Sequence, residues 1–437
     1  VRSLFIFCIC FFSLLSFSAL AADQDSLSNA SFQNFSEEFL RQYFDANPSS
    51  GAFHGMDRYD PILPIPDKEQ RLHDLAFCTV WLDSLKQFAK APLGPSERTD
   101  YFLLKGMLES RQWYFSEFKS WEWWPSSGVG GRIDLILNRD KEMPKKARDL
   151  YELLSKIPAY FSQCRRNLTD PSFEHTKLTI QQLEGSRDLF SVKLAQFIEQ
   201  LNTHNDPLSV MLQSKMPAMV KRASDAMENY RDHLQYKVVE VINTDPNRRD
   251  FRIGKEMYAD KFKHDIAGQF TAAEIFDYGL KEKKSIHNKM QVITGQLWPQ
   301  YFDTENPNPS LEDVGKLIAE VAENHVSRED YFEAIQNQIS ELEAFVIEKD
   351  LIWLDPEKPL KVRETPGYMR GIAGASISAP GPYEKMRPTF YNVTPLDHYS
   401  EEEAESYLRE YNHYILQILN IHEAVPGHYT QLMYANE

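Results

Sequence analysis

The stretch NIHEAVPGHYTQ, Asn420 to Gln431, holds the side chains of this 437-residue chain best suited to chemistry: His422, Glu423 and His428. Neutral imidazoles are zinc ligands, and a carboxylate beside one of them can serve as a base. The spacing is unusual. In the familiar helix His-Glu-x-x-His, the two histidines lie ~40° apart around the axis and ~6 Å along it, so both reach one ion. Six residues on a straight helix give about 240° and ~9 Å, which no single ion can bridge. Pro426 alters this expectation, because it lacks an amide hydrogen and its ring collides with the carbonyl four residues earlier, that of His422. Gly427 can take dihedrals closed to other residues. The expectation is a deformed helix in which the extra positions bulge out and His428 returns to the side of His422. On this reading His422 and His428 hold Zn²⁺, and Glu423 takes a proton from a water whose pKa the metal lowers to about 7, which is amide hydrolysis. The competing reading is a metal-free relic of such a site.

The elements that must position these residues are mostly helical. Leu72, Leu75, Thr79, Leu82 and Leu85 recur at three and four residues, as do Leu150, Leu153, Leu154, Ile157 and Phe161. Further helices are expected over Leu183–Leu201, Val220–Val241 and Ile335–Ile347. Thr271 with Glu274, Ser310 with Asp313 and Ser400 with Glu403 suit helix starts. Leu360 to Asp397 is rich in Gly and Pro, with β-leaning runs at Lys361–Arg363, Ala375–Ser378 and Thr389–Thr394, and reads as a small sheet. The fold class is therefore mainly α, a large multi-helix body with a small β-sheet before the motif helix. The expected divisions are an export signal over 1–21, an N-terminal helical region over 22–245, and a helical region over 246–437. The last contains the sheet over 360–397 and the motif helix over 400–437. The turn-rich segment Asn243 to Arg249 marks the soft boundary between the two regions.

Composition narrows the partners. Lys plus Arg number 48 against 64 Asp plus Glu, a formal charge of −16, which disfavours nucleic acid and anionic lipid surfaces. Peptides or small amides suit this charge better. Residues 1 to 22 run from Arg2 through a long apolar stretch to Ala19-Leu20-Ala21, the order of a secretory signal. Cleavage before Ala22 leaves no stable membrane span, and the expected location is the bacterial periplasm or outside the cell. Cys78 and Cys164 remain after cleavage, and pairing and two separate thiols both stay open. Trp121, Trp123 and Trp124 form either a stacking platform for sugars or a core cluster, and burial is the commoner fate of aromatic rings. There is no Gly-x-Ser-x-Gly elbow and no phosphate-binding glycine loop.

HEAVPGHYTQ, the upstream RPTFYNVTP, and NPSSGAFHGMDRYDPILP at Asn47 to Pro64 together resemble the bacterial group known as domain-of-unknown-function family 885. The resemblance spans most of the chain, and His-Glu-x-x-Pro-Gly-His-x-x-Gln is its most specific part. It implies a helical fold akin to the angiotensin-converting-enzyme and oligopeptidase type of zinc peptidase, with His422 and His428 as ligands and Glu423 as base. It also implies that the strand around Phe390 to Val393 lines a cleft where substrate backbone adds to the sheet edge. Gln431, Arg387, Tyr391 and Asn392 are then candidates for supporting positions around the site or in the cleft. The chain departs from the family at Glu384-Lys385, where Asp-Gly is common, and at Thr389, where Gly follows Arg-Pro. A catalytic zinc takes three protein ligands, and the resemblance places the third, a glutamate, on a later helix. Glu437 is about 180° and ~13 Å from His428 on a continuing helix, and Glu405 is about 25 Å up the same helix from His422. The expectation is a truncated or split protein whose C-terminal part, encoded separately, is a partner. The alternative is a non-catalytic, peptide-binding remnant.

Overall fold

The computed structural model describes residues 31–436 except 246, 247, 267, 385 and 386. The export signal expected over 1–21, Lys385 and Glu437 lie outside the described residues. The chain is mainly α-helical with one three-stranded sheet.

Two long helices, Met143–Asn167 and Pro207–His233, pack together as the centre of the N-terminal body. Leu150, Leu153, Leu154 and Ile157 are fully buried, and Met216, Ala223 and Met227 meet them from the second helix. Each such side chain contributes about 1.5–3 kcal/mol through apolar burial. The stretch expected as one helix over Leu183–Leu201 is divided: Phe173–Gly185 ends at a turn, a wide π-helical turn spans Leu189–Lys193, and Leu194–Leu201 follows. The helix expected at Val220–Val241 likewise widens at Leu234–Val239.

Lys68–Leu85 is helical, as the leucine period implies, but its buried face is Phe77, Cys78, Trp81 and Leu85, and Leu72 is exposed. The aromatic rings carry more area than the leucines. Trp81 packs edge-on against Phe35 and Phe39 of the helix Phe32–Ala46, and Phe77 packs tilted against Phe39, which sets the rotation. Cys78 and Cys164 are separate buried thiols in different clusters, with burial pushing their pKa values up to about 11 and about 12. Trp123 is buried with Trp113 and Phe118, Trp124 lies beside it with ring centroids 6.2 Å apart and packs with it on His175, and Trp121 lies apart under Arg71.

All three expected helix starts carry reciprocal capping boxes, at Thr271/Glu274, Ser310/Asp313 and Ser400/Glu403. The sheet also falls where its β-leaning runs lie: β1 is Leu360–Glu364, β2 is Ala375–Ser378 and β3 is Thr389–Val393. Its order is β1-β3-β2, with β3 parallel to β1 and antiparallel to β2.

The loop after β1 joins the sheet to the helical body. A Cβ on Gly185 would lie 2.3 Å from the carbonyl carbon of Gly367, so two backbones touch where no side chain fits. Nearby, a buried ionic chain crosses the same boundary. Arg387 donates to Glu384 at 3.0 Å, Glu384 pairs with Arg139, Arg139 with Asp60 at 2.9 Å, and Lys141 bridges Asp60 and Asp149 at 3.2 and 2.5 Å.

The segment expected as one motif helix over 400–437 is three helices, Glu401–Glu410, His413–Glu423 and His428–Ala435. Asn412 starts the second by accepting from the amides of Tyr414 and Ile415, and so separates Glu405 from the motif. His413–Glu423 rests on Tyr331–Glu348 and on β2. Its register is held by a buried relay. The Tyr391 hydroxyl donates to Asn420 Oδ1 at 2.9 Å, and Asn420 Nδ2 donates to Gln338 Oε1 at 2.9 Å. Replacing Asn420 by Ala leaves the other two groups buried without partners, so chemical denaturation of Asn420→Ala should show a loss of about 2–4 kcal/mol.

On the same supporting helix, burial alone pushes the pKa of Glu343 above its ordinary value. A folded-state pKa above the unfolded one means that the native state holds this proton more tightly. The stabilisation is complete below the unfolded value and is lost as pH rises through the folded one. Glu343→Gln should therefore be more stable than the parent at pH 7 and equal to it near pH 3, read by paired thermal melts.

Candidate metal centre

His422 is in the last turn of its helix, and His428 is the first residue of the next. The helix stops at Glu423, and Ala424 takes φ −100° and ψ −95°, outside the helical region. The Val425–Pro426 peptide is cis. Ala424 and Val425 are buried, so the break itself is part of the core.

Gly427 has φ −79° and ψ −135°, a pair that belongs to neither the helical nor the extended region. Space matters as well: a Cβ on Gly427 would lie 1.9 Å from the carbonyl oxygen of His422 and 2.3 Å from that of Ile421. The chain folds back onto the end of its own helix, and that return brings the two histidines together. Their ring centroids are 4.6 Å apart and nearly perpendicular.

One ligand atom each from His422, Glu423 and His428 lies within 4.8 Å of the others. Tetrahedral zinc with bonds of about 2.0–2.1 Å needs donors ~3.4 Å apart, so the two imidazoles fit one ion after a modest side-chain closure, with Glu423 beside them. The His422 side chain is 64% exposed, which leaves its ring free to turn, whereas Glu423 is 13% exposed and held. Among the described residues the cluster contains these three donors and no further His, Cys, Asp or Glu. Burial pushes the Glu423 pKa above the ordinary carboxylate value, and the two histidines oppose that shift.

The remaining candidates fall in different surroundings. Gln431 Oε1 is 3.4 Å from His428 Nδ1, one helical turn on, where it can orient the ring. Tyr391 is fully buried beneath the motif helix. Burial raises its pKa and the Glu423 charge adds to the shift, so the phenol stays protonated and donates to Asn420. Asn392, next along β3, faces the other side of the sheet, where it accepts from Arg363 at 2.7 Å and donates to Ser378 Oγ at 2.8 Å. Arg387 lies in the ionic chain with Glu384 and also donates to the Ala379 carbonyl at 2.5 Å.

Substrate backbone cannot add to β3 at Phe390–Val393, because β3 is the central strand and both its edges are already paired, with β1 and β2. The open edge nearest the motif helix belongs to β2. Sequence reasoning missed the Tyr391–Asn420–Gln338 relay. A polar Asn420 inside an otherwise apolar helix turn was its one visible sign, whereas nothing marks Gln338 as its partner. Ile415 and Ile418, on the outward face of the motif helix, are 42% and 60% exposed.

The family model described as "Bacterial protein of unknown function (DUF885)" matches residues 48–437. No curated protein matches the chain. Among solved structures, the chain is similar to a protein from Shewanella oneidensis described as a lipoprotein of unknown function. The identity is 40% and the TM-score 0.72, over 93% of this chain and 72% of that one. A protein from Colwellia psychrerythraea, also described as a lipoprotein, is 14% identical with a TM-score of 0.63, over 91% and 72%; at that identity the likeness concerns the fold alone.

The close approach at Gly427 carries a test. Gly427→Ala should push the His428 helix away from His422 and weaken zinc binding by about 10–100-fold, measured against a competing chelator, with helix content by circular dichroism retained. Unchanged affinity would mean that this contact does not hold the pair together.

Proposed function

The chain belongs to the family of bacterial proteins of unknown function called DUF885, and on that footing we propose that it is a zinc-dependent peptidase or amidase-like hydrolase acting outside the cytoplasm. The observation that carries the reading is the convergence of His422, Glu423 and His428 across a broken helix. His422 and His428 would hold Zn²⁺, which when bound supplies an acidified water and polarises a scissile carbonyl. Glu423 accepts the proton, and its pKa, raised by burial, lies closer to the range a general base needs. Gln431 steadies His428, and Tyr391 holds the helix that carries His422 and Glu423 through Asn420. A peptide substrate would lie along the open edge of β2, backbone to backbone, with Arg387 bracing the end of β2 through Ala379 and the buried Asn392 bracing the other face of the sheet, neither touching the reacting bond.

Among the described residues no further side chain joins this cluster as a third protein ligand. A helical fold akin to the angiotensin-converting-enzyme and oligopeptidase type of zinc peptidase would suit this chemistry. The periplasmic or secreted location is supported by the signal-like order of residues 1 to 22 and by the lipoprotein description of the Shewanella oneidensis relative. Among the described residues no helix is long and apolar enough to cross a membrane.

Among the described residues the cluster holds no further donor, and the second reading is a cleft that binds peptides without cleaving them. Metal analysis separates the two. The hydrolase reading expects one zinc per chain, lost in His422→Ala, and hydrolysis of peptide or aryl-amide substrates that falls at least ~100-fold in Glu423→Gln while zinc is retained. Loss of zinc in Glu423→Gln would make Glu423 a ligand and leave the base unassigned. A parent protein that takes up no zinc would leave peptide binding as the function.

A further inference from the structure

Two stretches that the metal centre leaves unused, Asn47 to Pro64 and the tryptophan-rich segment that begins at Ser120, meet at one cavity of the N-terminal region. It measures about 350 Å³, and Tyr43, Phe115 and Trp121 line it together with Ala46, Pro64 and Pro66. A second cavity of about 400 Å³ shares Tyr43, Arg111, Phe115 and Trp121 with the first, so the two adjoin; it adds Met107, Tyr114, Ser110 and Ser120. Neither includes His422, Glu423 or His428. The first alone is in the volume range of small-molecule sites.

The polar side chains of the first cavity are engaged with one another or with their neighbours, with one exception. Arg111 pairs with the buried Asp74 at 3.1 Å and also donates to Asn47, and the Gln70 side chain reaches the same Asp74 carboxylate. Ser49 Oγ accepts from Arg132 at 2.9 Å, and Ser50 Oγ lies 3.4 Å from His54 Nδ1. Arg71 is the exception. Its guanidinium lies over Trp121, 5.0 Å from the ring centroid, and its Nη1 donates to the Pro66 carbonyl at 2.7 Å and to Asn167 at 3.4 Å. Among the described residues these are its partners, and none is a carboxylate. Nε and Nη2, the edge that forks onto a planar carboxylate, are left open, and neither is enclosed as Nε of Arg111 is.

A guanidinium held against an indole, without an opposite charge and beside apolar rings, selects an anion with an apolar body. The charge of Asp74 is already met by Arg111, so an ammonium entering the cavity would face two guanidinium groups. We infer that this cavity is a binding site for an aromatic carboxylate, with the carboxylate forked onto Nε and Nη2 of Arg71 and the ring among Tyr43, Phe115 and the two prolines. The inference is independent of the hydrolase reading, because no side chain of the metal centre takes part in it.

The test titrates the whole chain with 3-phenylpropionate, 3-phenylpropanol and propionate by saturation-transfer NMR, with and without zinc. 3-Phenylpropionate should bind at least ~10-fold more tightly than the alcohol, which lacks the charge, and than propionate, which lacks the ring. Arg71→Gln should bring the acid down to the level of the alcohol, and Phe115→Ala should weaken it at least ~10-fold. Arg71 and Phe115 both lie outside the buried core, and thermal melts check that each variant keeps its fold. Binding should be the same with and without zinc and in His422→Ala. An alcohol bound as well as the acid, propionate bound as well as 3-phenylpropionate, or an acid preference that survives Arg71→Gln would overturn the inference. Binding that appears only with zinc would put the carboxylate at the metal centre and overturn it while leaving the hydrolase reading intact. Zinc-independent binding by a chain that takes up no metal would sink that reading and leave this site standing.

Discussion

The carbonyl oxygen of His422 and the α-carbon of Gly427 approach more closely than any Cβ would permit, and the arrangement of the candidate metal centre depends on that contact. A regular helix would set the two imidazoles on opposing faces. Pro426 removes the amide that would continue the helix, and Gly427 lets the chain return across the helix end. The result is two short helices whose facing ends each present one histidine, with Glu423 between them and partly sheltered. Buried Ala424 and Val425 anchor the break, so the return is packed into the core rather than left as a surface loop.

Support for the centre comes from side chains distant in sequence. Tyr391 on the central strand and Gln338 on the supporting helix reach Asn420 from two sides. A one-residue slip of β3 would turn Tyr391 away and bring Asn392 beneath the helix, because strand side chains alternate. The pairing of β3 with both neighbours prevents that slip and also closes its edges to any substrate.

The sheet in turn is held to the helical body by contacts of two kinds. At Gly185 and Gly367 two backbones meet directly, which only glycines allow. The ionic chain from Arg387 through Glu384 and Arg139 to Asp60 is nearly dry, so its members are satisfied by one another instead of by water. Glu384 and Arg387, members of that network, also line a cavity beside the last helix, His428–Ala435. The same chain that ties the two halves together thus also forms part of a pocket wall.

Much of this was legible in the residues. Helical periods, the three capping boxes and the β-leaning runs are local features, governed by side-chain spacing and turn chemistry, and they located most helices and all three strands. The break between His422 and His428 was also local, because Pro426 acts on the residue four before it. The buried face of Lys68–Leu85 was not legible from its leucines, since the aromatic helix packed against it decides which side is covered. Nor were the central place of β3, the partnership of Asn420 with Gln338, or the pairing of Glu384 with Arg139, all of which join residues far apart in the chain. By itself the sequence determined which side chains could bind a metal and that the helix bearing them must break, because both follow from covalent chemistry within a few residues. Only the tertiary structure decided that the break brings them together and what surrounds them, because those depend on which distant surfaces exclude water from one another.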